Sequence, residues 1–202
     1  AASVSGLEAA TQYLTGYIIE KSLSLDNIFV MAAIFGYFRI PRIYQHRVLF
    51  WGILGALVLR GVFIFGGTAL LGKFEWLMYV FGVFLIFTAI KMQMSKEEEN
   101  LDPSKNMLLR FAKKLFPVTH DFYGHHFFTK IDGKRVATPL LLCLIVIESS
   151  DLLFAVDSIP AIFAVTLDPF LVFTSNIMAI LGLRSLYFAL AAMLGKFRFL
   201  KN

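Results

Sequence analysis

Cysteine, histidine and charged residues are all scarce in this sequence. The 202 residues include one cysteine, Cys143, and four histidines, and only 16% are charged. A single cysteine excludes a disulfide within the chain, and its position in an apolar run predicts a buried packing residue. No Ser/His/Asp set, phosphate-binding loop or dinucleotide-binding glycine pattern is present. We therefore expect no enzyme and no prosthetic group, and the first residues do not predict a signal peptide.

Three of the four histidines, His120, His125 and His126, lie together in a polar stretch. They are too few for the multiple histidine boxes that membrane di-iron oxygenases use. We interpret them as part of a surface loop with weak metal affinity. A regulatory metal sensor is the alternative, and the sequence leaves their role open.

Long hydrophobic runs dominate what is present. The chain is 58% hydrophobic, with a mean hydropathy of +0.72. Five runs are long enough to approach the roughly 20 residues that a membrane-spanning helix needs. They cover residues 9–36, 48–71, 75–94, 138–165 and 170–195. The pattern predicts an all-α, polytopic membrane helix bundle whose outer surface meets the lipid bilayer.

The basic residues are concentrated in the polar segments between these runs. Fourteen of the nineteen Lys and Arg residues lie at 39–47, at 95–137 or after 195, and the opposite side has only Lys73. This asymmetry is typical of membrane topology and not of a nucleic-acid-binding face, despite the net charge of +5. We expect the 95–137 loop to be cytoplasmic, in a bacterial inner (plasma) membrane, with no nucleic-acid partner. A homo-oligomer stays open.

Two acidic motifs, at residues 20–27 and 148–158, lie inside apolar runs. Ionisable side chains at membrane depth are costly and are usually functional. In each motif two acids stand six residues apart, and the second acid is followed by a polar residue. The candidate metal ligands are Glu20, Asp26, Asn27, Glu148, Asp151, Asp157 and Ser158.

The two motifs begin similar halves of the chain. Each half contains an acidic helix, a turn with a proline (Pro41 or Pro169) and a glycine-containing helix with an arginine (Arg60 or Arg184). Three helices separate the two starting points, so the second half is inverted relative to the first. We predict a first repeat at 9–94, a cytoplasmic loop at 95–137 and a second repeat at 138–195. The second repeat shows two helices and is incomplete; chance similarity between apolar segments is the alternative.

The candidate ligands are oxygen donors, with Asn176 as a further neutral oxygen. Such donors suit hard divalent ions such as Mg²⁺, Ca²⁺ and Mn²⁺, and protons would compete with the metal for the carboxylates. Residues six apart point about 120° away from each other on a regular helix. We expect Asp26 and Asp157 to form the central pair, with Pro160 interrupting the second helix. Internal salt bridges to Arg60 or Arg184 are the structural alternative.

The two motifs resemble those of the TerC family of integral membrane proteins. The matching segments are residues 20–27, 157–161 and 176–187. The resemblance implies inverted three-helix repeats and a link to tellurium resistance and manganese export. It also implies that Glu20, Asp26, Glu148, Asp151 and Asp157 fall on acidic positions connected with metal transport.

We therefore expect an exporter of divalent metal cations, with Mn²⁺ as the transported ion and coupling to protons or to the membrane potential. Calcium transport would use the same ligands. The alternative from another class is a membrane scaffold in a metal or tellurite resistance complex, which would act through the 95–137 loop.

Overall fold

Each predicted apolar run forms one long helix. The computed structural model describes residues 6–74, 76–94, 107–115, 117–119 and 121–199. His120 and the side chain of Arg184 lie outside the described part. The five long helices are α1 (Gly6–Tyr37), α2 (Arg42–Leu71), α3 (Leu77–Met94), α5 (Pro139–Phe163) and α6 (Pro169–Phe199). With the family match reported below, this architecture confirms the prediction of an all-α, polytopic membrane protein.

The segment before α5 contains structure that the sequence did not predict. It holds a short helix, α4 (Met107–Leu115), and an antiparallel hairpin of β1 (Phe128–Ile131) and β2 (Lys134–Ala137). A tight turn at residues 131–134 joins the two strands. Asp132 and Gly133 both have positive φ angles, 50° and 76°, as the common two-residue hairpin turn requires.

By length and composition, three of the described helices qualify as membrane-spanning: Arg42–Leu71, Pro139–Phe163 and the Pro169–Ala189 part of α6. Helix α1 has 32 residues, which is long enough, but the Glu20, Lys21 and Asp26 side chains lower its hydropathy. Helix α3 is shorter, with an apolar part at Leu77–Ile90. That all five long helices cross the membrane stays a prediction.

The helices pack in a pattern that agrees with two related halves. Helix α1 packs against α6 and α5, α2 packs against α5 and α6, and α3 touches α5. Exchanging α1 with α5 and α2 with α6 leaves the contacts among those four helices unchanged. Helix α5 continues through Pro160 to Phe163, so the proline removes one backbone hydrogen bond without ending the helix.

Two apolar clusters fill the interior of the bundle. One includes Leu49 of α2 and the fully buried Cys143 of α5. The other includes Ile64 of α2 and Ala155 of α5. On both helices the residues between these positions carry buried polar side chains. The bundle therefore holds a polar layer between two apolar layers, and its outer faces carry exposed residues such as Val62 and Leu153, as expected for lipid contact.

Candidate functional site

A buried arginine, Arg60 of α2, is the centre of the polar layer. It is 1% exposed, and it lies on the inward face of α2 with Ala56 and Ile64 one turn to either side. Its guanidinium binds Asp151 of α5 in a bidentate manner. Nη2 donates to Oδ1 at 2.9 Å and Nε donates to Oδ2 at 3.2 Å. This planar fork is the strongest common geometry for an arginine and a carboxylate.

The same guanidinium reaches the two remaining helices of the core. Nη1 forms an ion pair with Glu20 of α1, which is also 1% exposed. Nη1 also donates to Oδ1 of Asn176 on α6 at 3.1 Å. Arg60, Glu20, Asp151 and Asn176, which we call the Arg60 network, therefore join α1, α2, α5 and α6.

The Arg60 network contains more negative than positive charge. Two carboxylates share one guanidinium, which leaves one formal negative charge. The nearby Lys21 ammonium does not join the network, because it donates to the Ala179 carbonyl on α6 at 3.4 Å. A buried charge that lacks a partner costs several kcal/mol, so a proton or a metal cation bound there would stabilise the network.

Several buried polar atoms near the Arg60 network have no hydrogen-bond partner. Among the described residues they are Glu20 Oε2, Ser24 Oγ, Asn27 Oδ1, Glu148 Oε2, Ser158 Oγ and Asn176 Nδ2. Glu20, Ser24 and Asn27 follow at i, i+4 and i+7, so they share one face of α1. Unpartnered buried polar atoms are rare in folded proteins and call for an explanation such as a bound ion or water.

Glu148 of α5 depends on a glycine for its position. Its carboxylate lies directly against Gly55 of α2, where an added Cβ would overlap it, and Gly52 lies one turn before. Glu148 and Asp151 are at i and i+3 on α5 and share a face, as the sequence predicts. The small residues of α2 thus let a carboxylate approach the helix backbone beside the Arg60 network.

The predicted central pair, Asp26 and Asp157, lies outside the Arg60 network. Helix α1 is continuous from Gly6 to Tyr37, so Glu20 points inward and Asp26 is exposed. Asp157 is half-buried, within hydrogen-bonding reach of Thr88 on α3. In the part of the chain that the structure describes, no group of three or more His, Cys, Asp or Glu residues could hold a metal ion.

The sequence-predicted residues therefore fall into three groups. Glu20, Asp151, Asn176 and Arg60 are in direct contact. Asn27, Glu148 and Ser158 are near the polar layer with unpartnered buried oxygens. Asp26 and Asp157 lie apart from it. The metal-ligand role of all these residues stays a prediction, and so does the role of His125, whose ring meets Tyr44 edge-on at 4.9 Å.

Ser24 and Gly55 were missed by the sequence reasoning. For Ser24 the signal was available, because its position four residues after Glu20 and three before Asn27 places all three on one helix face. Gly55 carried no such signal, because nothing in the sequence pairs it with Glu148.

Comparison with known proteins identifies the family. The model of the "Integral membrane protein TerC family" matches residues 5–202. An "Uncharacterized membrane protein STKORF319" of Myxococcus xanthus is 58% identical over 196 residues, which cover 97% of this chain and 61% of that protein.

Two further relatives carry the name "Putative membrane-bound redox modulator Alx". The Salmonella typhi protein is 53% identical over 95% of this chain and 59% of its own length. The Escherichia coli K12 protein is 50% identical over 95% of this chain and 60% of its own length. The chain thus spans about three fifths of the curated relatives it matches. No solved structure matches.

Proposed function

Because the chain belongs to the TerC family of integral membrane proteins, we propose that it forms the core of an exporter of divalent metal cations, with Mn²⁺ as the substrate. The observation that carries the proposal is the excess of buried carboxylate in the polar layer. Glu20 and Asp151 share the single guanidinium of Arg60, and Glu148 lies one turn away with an unpartnered oxygen.

The chemistry of these donors favours a hard or borderline divalent ion. Carboxylate, amide and hydroxyl oxygens are the ligands that Mn²⁺, Mg²⁺ and Ca²⁺ prefer. Binding such an ion would neutralise the excess charge and satisfy oxygens that have no other partner. The same carboxylates bind protons, so protons and metal compete for them. This competition supports coupling of metal export to a proton gradient or to the membrane potential.

The remaining elements of the proposal concern topology and mechanism. Inverted repeats support alternating access, in which one repeat rocks against the other around a central site. We place the loop before α5 in the cytoplasm of a bacterial cell, on the basic-residue asymmetry. The metal is transported and is no prosthetic group, and we assign no enzymatic activity. Ca²⁺ transport is the runner-up, because it would use the same oxygens.

The name of the Alx relatives mentions redox modulation, and that name describes those proteins. In this chain the one cysteine, Cys143, is fully buried in an apolar cluster. We assign it a packing role and attribute the function to the carboxylates.

The test is Mn²⁺ export by Asp151→Asn and Glu148→Gln variants of the full-length protein. Both changes keep the side-chain shape and remove one negative charge. Asp151→Asn also leaves Arg60 and Glu20 as a neutral pair, so the bundle should still fold. We expect each variant to reach the membrane in normal amount and to lose most Mn²⁺ efflux from metal-loaded vesicles.

The matched control is Asp168→Asn. Asp168 is an exposed acid that caps the start of α6, accepting from the Phe170 N–H at 2.9 Å. Asparagine caps helices about as well as aspartate, so this variant should transport normally. Undiminished export by both Asp151→Asn and Glu148→Gln would contradict the proposal.

A further inference from the structure

A small cleft between α1 and α5 opens beside the Arg60 network. Asn27 and Met31 line it from α1, and Ser150 and Asp151 line it from α5, with apolar side chains such as Phe154 closing it. Asn27 and Met31 are at i and i+4, so they share a helix face. We call this feature the α1–α5 cleft.

The α1–α5 cleft has the size of one small ligand. It leaves about 10 Å³ for the centre of a water-sized sphere, which is close to the minimum that a single water molecule requires. A single metal ion therefore fits, and a larger substrate does not.

The polar groups of the cleft have free capacity to bind a cation. Asn27 is 3% exposed, and its Oδ1 has no hydrogen-bond partner. The Ser150 hydroxyl donates to the Val146 carbonyl at 2.9 Å, which leaves its oxygen lone pairs free. Each Asp151 oxygen accepts one bond from Arg60, and a carboxylate oxygen can accept more than one. Glu20 offsets the charge of Arg60, so the guanidinium does not make the cleft positive overall.

We propose that the α1–α5 cleft binds one divalent transition-metal cation through Asp151, Asn27 and Ser150, and that the Met31 thioether determines its metal preference. Oxygen ligands alone bind Mg²⁺, Ca²⁺ and Mn²⁺. A soft thioether adds almost no binding energy for Mg²⁺ or Ca²⁺ and more for transition-metal ions, with the smallest gain for Mn²⁺, which also prefers oxygen donors. This inference rests on the proposed export of divalent cations and names the residue that excludes the abundant alkaline-earth ions.

A site of this composition differs from one built on clustered acids. It has one carboxylate and three neutral donors. The empty site therefore does not have to hold several carboxylates that repel each other before the ion binds. Its negative charge is that of Asp151 itself, because Glu20 offsets Arg60 within the network. A cation in the cleft would also give the buried Asn27 Oδ1 the partner that it lacks.

The experiment measures metal binding by the purified full-length protein and by its Met31→Leu variant. Leucine has nearly the volume of methionine and lacks the sulfur. Thermal unfolding is followed with increasing Mn²⁺, Ca²⁺ or Mg²⁺, which yields an apparent Kd for each ion. We expect the ratio of the Ca²⁺ to the Mn²⁺ Kd to fall severalfold in the variant, because the sulfur contributes to Mn²⁺ binding and not to Ca²⁺ binding.

The control is Met78→Leu, the same change in α3, where Met78 packs against the second apolar cluster. It should leave the ratio unchanged. An unchanged ratio in Met31→Leu would overturn the role of Met31. If the wild-type protein exports Mn²⁺ and the Met31→Leu variant has the same ratio of the Ca²⁺ to the Mn²⁺ Kd as the wild type, only this inference fails. If the wild-type protein neither binds nor exports Mn²⁺, the proposed function fails with it.

A second variant, Asn27→Leu, tests the cleft itself. Replacing an unpartnered buried amide by an apolar side chain of similar shape should leave the metal-free melting temperature equal or raise it. The same variant should lose the stabilisation by Mn²⁺. A purely structural Asn27 predicts the opposite, a lower melting temperature with Mn²⁺ stabilisation retained, and that result would overturn the site.

Discussion

Each motif contains two acids six residues apart. The first acids of these pairs, Glu20 and Asp151, share one environment, whereas the second acids, Asp26 and Asp157, do not. Glu20 of α1 and Asp151 of α5 are both buried, and both bind Arg60. Asp26 of α1 is exposed, and Asp157 of α5 is half-buried near Thr88 of α3. Glu20 and Asp151 meet at the centre of the bundle, where both contact the same arginine. The environment of Asp26 and Asp157 depends on the neighbouring helix, and α3 packs mainly against α5, on the side of Asp157.

The inward faces of α1 and α5 extend this correspondence. Glu20, Ser24 and Asn27 are buried at i, i+4 and i+7, and Asp151, Ala155 and Ser158 are buried at the same spacing. The similarity between α1 and α5 therefore extends over a whole helix face and not only over single acids. Its outer faces are free to differ, because each meets a different neighbour.

Removing Arg60 should have the largest effect, since it breaks the environment that the first acids share. Arg60→Met would leave Glu20 and Asp151 buried without a positive partner. We expect the unfolding free energy to fall by about 3–5 kcal/mol, as for other buried pairs that lose one member. Thermal or denaturant unfolding in detergent measures this loss.

The control for this prediction neutralises the acids together with the arginine. A triple variant, Arg60→Met with Glu20→Gln and Asp151→Asn, contains no buried formal charge in the network. It should recover most of the lost stability, because uncharged replacements of buried ion pairs are often neutral. A triple variant as unstable as Arg60→Met alone would show that the charges are not the cause.

Substitution of Gly55 should have an intermediate effect on stability, because the atoms nearest to an added Cβ all belong to one side chain, Glu148 of α5. In Gly55→Ala the added methyl group would overlap the Glu148 carboxylate. We expect a loss of about 1–3 kcal/mol in unfolding free energy, typical of overpacking. In a Glu148→Ala background the same change should cost little, and a double-mutant cycle measures the difference.

The matched substitution is Gly66→Ala on the same helix, where an added Cβ meets no atom within 4 Å. It should stabilise the protein by up to about 1 kcal/mol, because alanine favours the helix over glycine. Equal effects of Gly55→Ala and Gly66→Ala would mean that Glu148 does not lie where the structure has it.

Thr88 should have the smallest effect and tests the second acid of α5. Thr88→Val removes a hydroxyl that donates to the Phe84 carbonyl and lies near Asp157, and it should cost about 0.5–1.5 kcal/mol, the usual net value of a hydrogen bond. Thr68→Val is the control, because the Thr68 and Thr88 hydroxyls both donate at 2.9 Å to the carbonyl four residues earlier. If thermal unfolding shows that both variants lose the same amount of stability, Thr88 and Asp157 have no stabilising contact.

The helices were predictable from sequence because apolar runs of membrane length determine them directly. The hairpin turn was predictable as well, since an Asp-Gly pair suits two successive positive φ angles. The strands and α4 were not, because four-residue strands and a nine-residue helix carry too little periodic signal in a polar segment.

The site was predictable in its residue types and only partly in its arrangement. Spacing alone required Glu20 and Asp26 to diverge on a regular helix, and they do. Which of the two points inward depends on the position of Arg60 and on the packing of α6, and neither is encoded locally. The sequence offered a salt bridge between Glu20 and Arg60 as an alternative, and it is present. It did not indicate Asp151 as the second partner of Arg60, and it gave no reason to single out Met31 among the apolar residues.

The contacts of Arg60 couple the packing of the helices to the charge balance of the polar layer. Arg60 moves with α2 of the first half, whereas Asp151 and Asn176 belong to the second. If the halves tilt apart, the guanidinium must release those two groups and keep only Glu20. Asp151 would then stand without compensation in a medium of low polarity. A cation bound at Asp151 would supply that compensation and would therefore favour the separation of α2 from α5 and α6.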